Sequence, residues 1–378
     1  MLSSIVAILM SKHRAAVQFW DTVLDDVPSP QKLREETHMR WIWTAGAFSI
    51  LAGYVAMLSG CASMDQKQSD VYRRESGGKL EFWRTVSEAS KIHWAYAWAA
   101  VAAYQDSDDP KRQPLKTSAT CPEPHAFLTQ RGWVQWKQMP SLEPRAGEGY
   151  AAAAEEMRDV HLRAEIWSND KTKQVIVAFG GTAASSMDDW RANFRWFLAL
   201  SDSKDEYTVL TDTFVPTFVA EYLRLEANPE WAWLKDAHVV STGHSLGGGL
   251  SQRFAYSLRA ISGVPTVKEV YAFDPSPVSG KRSSPNFSEQ ADGLTIYRIY
   301  NRGEILASLR SLVRFGNPGD RRNQGQTWID IRYRDNWSWR TLLPSGSVHA
   351  HGIYDLACFM AMSLPETDLQ ACMGNADG

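Results

Sequence analysis

Residues 237–252 read AHVVSTGHSLGGGLSQ, and the order of residue types in this stretch decides the fold. A short apolar strand is predicted over 237–241. It runs into Gly243-His244-Ser245-Leu246-Gly247, and a helix is predicted over 246–261. A G-x-S-x-G motif between strand and helix turns the chain sharply at its serine, so that the hydroxyl stands clear of the backbone. Glycines two residues to either side permit that turn, because a Cβ there would clash. The helix N-terminus brings positive potential to any oxyanion formed beside it. Ser245 is therefore the candidate nucleophile, and the backbone N–H of Leu246 is a candidate oxyanion donor. His244 adjoins the nucleophile in sequence, points elsewhere, and is not the base. The competing reading of the motif alone is a glycine-rich turn with an idle serine.

Outward from this turn, strands and helices alternate. Strands are predicted over 162–167 and 174–179, with a turn at 168–170, and again over 270–273, 294–300 and 328–333. Helices are predicted over 79–104, 150–161, 187–200, 213–226, 305–313 and 353–362. Such alternation implies a mainly parallel central sheet with helices on both faces. No internal repeat and no second domain are visible, so residues 79–378 read as one large α/β domain. The formal net charge is −3 with no basic stripe, which excludes a nucleic-acid partner. The 16 tryptophans are assigned first to core packing, with contact at a lipid interface as the alternative.

Upstream, Val175-Ile176-Val177-Ala178-Phe179-Gly180-Gly181-Thr182 ends a strand, and Asp188-Asp189-Trp190 with Asn193 follows. Together with the serine motif, these residues resemble the class 3 (fungal-type) lipases of the α/β-hydrolase fold. In that family a strand ends in Phe-Arg-Gly-Thr and a D-W-x-x-N segment comes next. Gly180 departs from the pattern by standing where the family has Arg. The resemblance implies that Thr182 supplies one oxyanion donor and Leu246 the other, and that residues 183–205 form a lid. Downstream, Ser347-Val348-His349-Ala350-His351-Gly352-Ile353-Tyr354 precedes the last helix, the fold's place for the base. His351, with an aromatic residue three positions on, matches the family; His349 is the reserve.

Two carboxylates compete for the third role. Glu304, in Arg298-Ile299-Tyr300-Asn301-Arg302-Gly303-Glu304-Ile305, lies where the family carries Asp. Asp274, in Phe273-Asp274-Pro275-Ser276-Pro277, resembles the acid segment of pancreatic-type lipases. The resemblance extends from about residue 80 to residue 362. It implies lipid-ester hydrolysis, by a lipase, esterase or phospholipase, through an acyl-enzyme that needs neither metal nor organic cofactor. Two other readings stay open: a lipid- or envelope-binding lipoprotein without catalysis, and a thioesterase or peptidase with the same triad.

Residues 41–59, WIWTAGAFSILAGYVAMLS, carry no charge and follow Met39-Arg40. Leu58-Ser59-Gly60-Cys61 then resembles a bacterial lipobox, with Cys61 as the lipidated residue. This divides the start of the chain into an over-extended N-terminus (1–38), a signal peptide (39–60) and a tether (61–78). The resemblance implies a lipid-anchored protein of the bacterial cell envelope. Ala62 in place of Asp points to the outer membrane. A single transmembrane anchor over 41–59 is the alternative. No C-x-x-C pair exists, and Cys121, Cys358 and Cys372 allow at most one bridge among them.

Overall fold

Nine strands hydrogen-bond into one sheet in the order β2-β1-β9-β8-β7-β6-β5-β4-β3. They are β1 (Asp70–Glu75), β2 (Glu81–Thr85), β3 (Val134–Gln135), β4 (Ala164–Asn169), β5 (Gln174–Phe179), β6 (His238–His244), β7 (Glu269–Phe273), β8 (Thr295–Asn301) and β9 (Thr327–Tyr333). The computed structural model describes residues 67–104, 121–137, 139, 150–181, 206–276, 287–302, 325–334 and 352–365. All of them belong to a compact unit made of residues 66–310 and 319–378. Residues 41–59 and Cys61 lie outside the described residues, so the predicted signal and anchor do too. Among the described residues, no helix is long and apolar enough to cross a membrane.

The sheet is mixed, which corrects the expectation of a mainly parallel one. β5 through β9 run parallel to one another. The outer pairs β3–β4, β4–β5, β1–β9 and β1–β2 are antiparallel. Link length explains the difference at β4–β5, since a four-residue connection can make a hairpin but not a parallel crossover. That connection is closed by the Asn169 side chain, which accepts hydrogen bonds from the Lys171 and Thr172 N–H groups at 3.1 and 3.2 Å.

Among the described residues, the α-helices of seven residues or more are α1 (Val86–Ala102), α2 (Pro124–Gln130), α3 (Ala151–Asp159), α4 (Val215–Glu226), α5 (Leu246–Leu258) and α6 (Ile353–Met362). One turn of α-helix and a π-helical turn, Leu210–Phe214, lead into α4. Strand periodicity divides the core in two. Ile176, Ala178, Val240, Phe273 and Ile331 face α1, α2 and α6. Val175, Val177, Phe179, Val239, Val270 and Ala272 face α3, α4 and α5. Trp98 of α1 is fully buried, packed on Phe127 and edge-on to Tyr354 of α6. On the opposite face Phe254 of α5 meets Phe179, Phe214 and Phe218. Burying each such side chain stabilises the fold by roughly 1.5–3 kcal/mol. Parallel central strands covered on both faces, with the serine turn at the end of β6, make this the α/β-hydrolase fold.

Two predicted elements at the N-terminal side change character. Residues 70–75, read as tether, form β1, because Val71 is buried and Arg74 pairs with Asp330 of the adjoining β9. The helix predicted from residue 79 begins at Val86, after the strand β2. A capping box fixes that start. The Thr85 hydroxyl accepts from Glu88 N–H, and Glu88 accepts from Thr85 N–H at 3.0 Å.

Candidate active site

Ser245 occupies the joint between β6 and α5 at φ +56°, ψ −120°, a conformation that L-residues rarely adopt. Such a backbone costs about 1–3 kcal/mol and persists only where its surroundings over-determine it. Here they do. Ser245 N–H donates to Phe273 O at 3.0 Å, and the Ser245 carbonyl accepts from Gly248 N–H at 3.0 Å and Ser276 N–H at 2.9 Å. Residues 241–244 and 246–250 are buried, while Ser245 is partly exposed. The turn therefore presents the serine and hides its neighbours.

Close packing demands the flanking glycines. A Cβ on Gly243 would lie 2.3 Å from Gly247 O, and a Cβ on Gly247 would lie 2.1 Å from Phe179 O. β5, β6 and α5 meet backbone to backbone at this point. Gly181 is held against the same turn, since a Cβ there would come within 3.3 Å of Leu246 N and 2.6 Å of His244 O. The loop after β5 thus runs beside the Leu246 backbone nitrogen. Thr182, the next residue, lies outside the described residues, as does the predicted lid 183–205.

Gly180 has a packing cause. A Cβ there would stand 2.5 Å from the Ala103 carbonyl oxygen and 3.2 Å from Arg163 Cβ. The end of α1 crowds the strand end so closely that no larger residue fits. The departure from the family's Arg is accounted for by this local packing.

Asp274 follows β7, the strand next to β6, which ends at the Ser245 turn. It is fully buried and also takes positive φ, +39°. Its N–H donates to Ile299 O of β8 at 2.8 Å, and Ser276, two residues on, donates to the Ser245 carbonyl. The segment carrying Asp274 is thereby bound to the Ser245 turn through main-chain hydrogen bonds. The competing carboxylate, Glu304, lies outside the described residues, as do His349 and His351.

The residue after His351 is described. Gly352 is the N-cap of α6, and α6 packs on α1. A Cys121–Cys358 disulfide, with Cα atoms 5.7 Å apart, ties α6 to the segment before α2. Tyr354, the aromatic residue three beyond His351, is buried against Trp98, and its hydroxyl reaches Cys121 O at 3.5 Å. In this structure it seats α6 against α1.

His244 points away from the solvent side of the turn, as its place in the sequence implied. Its Nδ1 lies 2.8 Å from the hydroxyl of Tyr104, a residue the sequence reading missed. Burial pushes the Tyr104 hydroxyl above the ordinary tyrosine range; a hydrogen bond from the Gly181 backbone works the other way, and the charge of Asp274 raises it further. No motif marks Tyr104. Its only sequence signal is a polar-tipped aromatic closing the alanine-rich end of an apolar helix.

The chain matches no family model, and no curated protein matches it. Among solved structures it is similar to a Rhizomucor miehei lipase in complex with its propeptide. The identity there is 16% and the TM-score 0.39, over 77% of this chain and 87% of that one. It is also similar to a lipase of Rhizopus microsporus var. chinensis, with 14% identity and a TM-score of 0.38, over 70% of this chain and 86% of that one. A lipase of Yarrowia lipolytica shows 16% identity and a TM-score of 0.35, over 59% and 74% of the respective chains.

Proposed function

We propose that this chain is a serine hydrolase that cleaves carboxylic esters of lipids. The observation that carries the proposal is the strained Ser245 turn, bonded by main chain to Phe273 and Ser276, the segment that carries the wholly buried Asp274. Strain of this kind is retained where it serves function. An idle glycine-rich turn has no need of a non-glycine residue at φ +56°.

In the proposed reaction Ser245 Oγ attacks the ester carbonyl carbon while His351 takes the hydroxyl proton. The carbonyl π electrons move onto oxygen, where the N–H groups of Leu246 and Thr182 hold them, each worth about 3 kcal/mol. The C–O bond then breaks, and His351 returns its proton to the leaving alcohol. Water, deprotonated by the same imidazole, hydrolyses the acyl-enzyme and frees Ser245. We assign the carboxylate role to Asp274, whose burial and attachment to the serine turn suit a group that orients an imidazole; Glu304 is the alternative. Because Gly180 has a packing cause, it no longer supports a chain that has lost catalysis.

The proposal extends to location. The run 41–59 and Leu58-Ser59-Gly60-Cys61 support an exported protein anchored by a lipid on Cys61 at the bacterial outer membrane. A Cys121–Cys358 disulfide is at home in an oxidising compartment. Labelling with a fatty-acid probe in wild-type and Cys61→Ala cells tests the anchor. Loss of label in the variant supports it, and an unlabelled wild type counts against it.

The activity is tested by turnover of p-nitrophenyl esters from acetate to palmitate, with Ser245→Ala in parallel. Turnover that vanishes in the variant supports the hydrolase, and a maximum at long chains supports the lipid substrate. A well-folded wild type inert toward the whole series, with and without detergent, would leave the non-catalytic binding protein as the better reading.

A further inference from the structure

Three segments meet behind the serine turn: the end of α1, the loop after β5 and the last residue of β6. One side chain touches all of them. Tyr104 follows α1, its own N–H bonded to Val101 O at 3.0 Å. Its hydroxyl lies 2.8 Å from His244 Nδ1 and 3.3 Å from His244 O, to which it can donate. On the other side it faces Gly181. A Cβ added there would stand 2.3 Å from the Tyr104 oxygen, and the Gly181 backbone hydrogen-bonds to that oxygen.

The base of this post is itself fixed. Arg163 is buried and directs Nη1 at the Tyr104 carbonyl, at 3.4 Å, so a cation faces the negative end of α1. Ala103 O meanwhile fills the space above Gly180.

We propose that Tyr104 is a positioning residue for the oxyanion hole. Its hydroxyl bridges Gly181, in the loop after β5, to the residue before Ser245, and so fixes the approach of that loop to the Leu246 N–H. This rests on the serine-hydrolase reading above. Gly181 lies in the loop after β5 and Leu246 at the start of α5, so a donor offered from that loop has to be held against a separate segment. Donor distances of 2.7–3.1 Å leave little tolerance, roughly half an ångström. A bridge at the base of both segments meets that requirement without touching substrate.

The test replaces one oxygen. Tyr104→Phe in the full chain keeps the ring and removes the bridge. On p-nitrophenyl butyrate, kcat should fall about 10- to 100-fold while KM stays within about twofold. That loss is smaller than for a donor removed outright, because the donors remain but diverge. A boronic acid that mimics the tetrahedral intermediate should lose affinity in proportion to kcat/KM.

A second pair of variants asks the same question from the other side. His244→Leu should lower kcat, His244→Asn should recover part of it by restoring a polar atom opposite the tyrosine, and Tyr104→Phe with His244→Leu should be no worse than either alone. This pair carries the test by itself if Tyr104→Phe does not fold. A Tyr104→Phe enzyme with wild-type kcat, a change confined to KM, or additive losses in the double variant would each overturn the proposal. A wild type without Ser245-dependent turnover would instead remove the hydrolase reading and this proposal with it.

Discussion

Asp274→Asn changes one charge and almost no shape. The backbone at this position sits at φ +39°, and Asn tolerates positive φ as well as Asp does. The main-chain bonds from Asp274 N–H to Ile299 O and from Ser276 N–H to Ser245 O do not involve the carboxylate. The Ser245 turn should therefore survive the exchange. Because Asp274 is fully buried, water screens its charge little.

The expected loss falls on chemistry. Without the carboxylate the imidazole adopts the wrong tautomer and its protonated form is unsupported, an effect of about 10⁴ in kcat for such triads. At 1.36 kcal/mol per tenfold, that is about 5.4 kcal/mol of transition-state stabilisation. The assay is kcat on p-nitrophenyl butyrate for wild type, Asp274→Asn and Glu304→Gln, with urea unfolding of each. A loss near 10⁴ is expected for Asp274→Asn with the protein still folded, and less than about fivefold for Glu304→Gln. The reverse pattern would refute the assignment and give the role to Glu304.

Other consequences are open to measurement. Burial lowers His93 from 6.5 to about 3, so the native state keeps it neutral while the unfolded chain takes up a proton below about pH 6.5. Stability should fall with acid by up to about 1.4 kcal/mol per pH unit between those values, about 2 kcal/mol from pH 7 to pH 5; a His93→Phe protein whose pH profile matches wild type would contradict this. The Cys121–Cys358 bridge spans 237 residues, and Cys358→Ser should lower unfolding free energy by about 2–4 kcal/mol, read as a lower Tm that no longer responds to reductant. Gly247→Ala would place a Cβ 2.1 Å from Phe179 O, so α5 must move off β5; we expect about 3 kcal/mol or more of destabilisation together with loss of turnover, and a stable, active variant would count against the packing described.

What the sequence revealed, and what it hid, follows from the range of each interaction. α5 and β6 were legible because G-x-S-x-G encodes a local backbone geometry. The strands β5 and β7 were legible because strands buried on both faces read as continuous apolar runs. α6 was found over its observed length, Ile353–Met362. β1 and β2 were missed because their pairing is long-range: Arg74 meets Asp330, 256 residues away, and nothing in DVYRRE announces that partner. The mixed character of the sheet was hidden for the same reason, since strand direction depends on neighbours and not on pattern. At the site, Ser245 and the Leu246 position could be read directly. Tyr104 could not, because its role arises where three segments converge in space.

Intact-mass analysis after treatment with a fluorophosphonate probe tests the central claim most directly. The account predicts one phosphonyl adduct per chain, mapped by peptide sequencing to Ser245 and absent from Ser245→Ala. A folded wild-type protein that gains no adduct, or one modified at another residue with Ser245→Ala labelled equally, would contradict it.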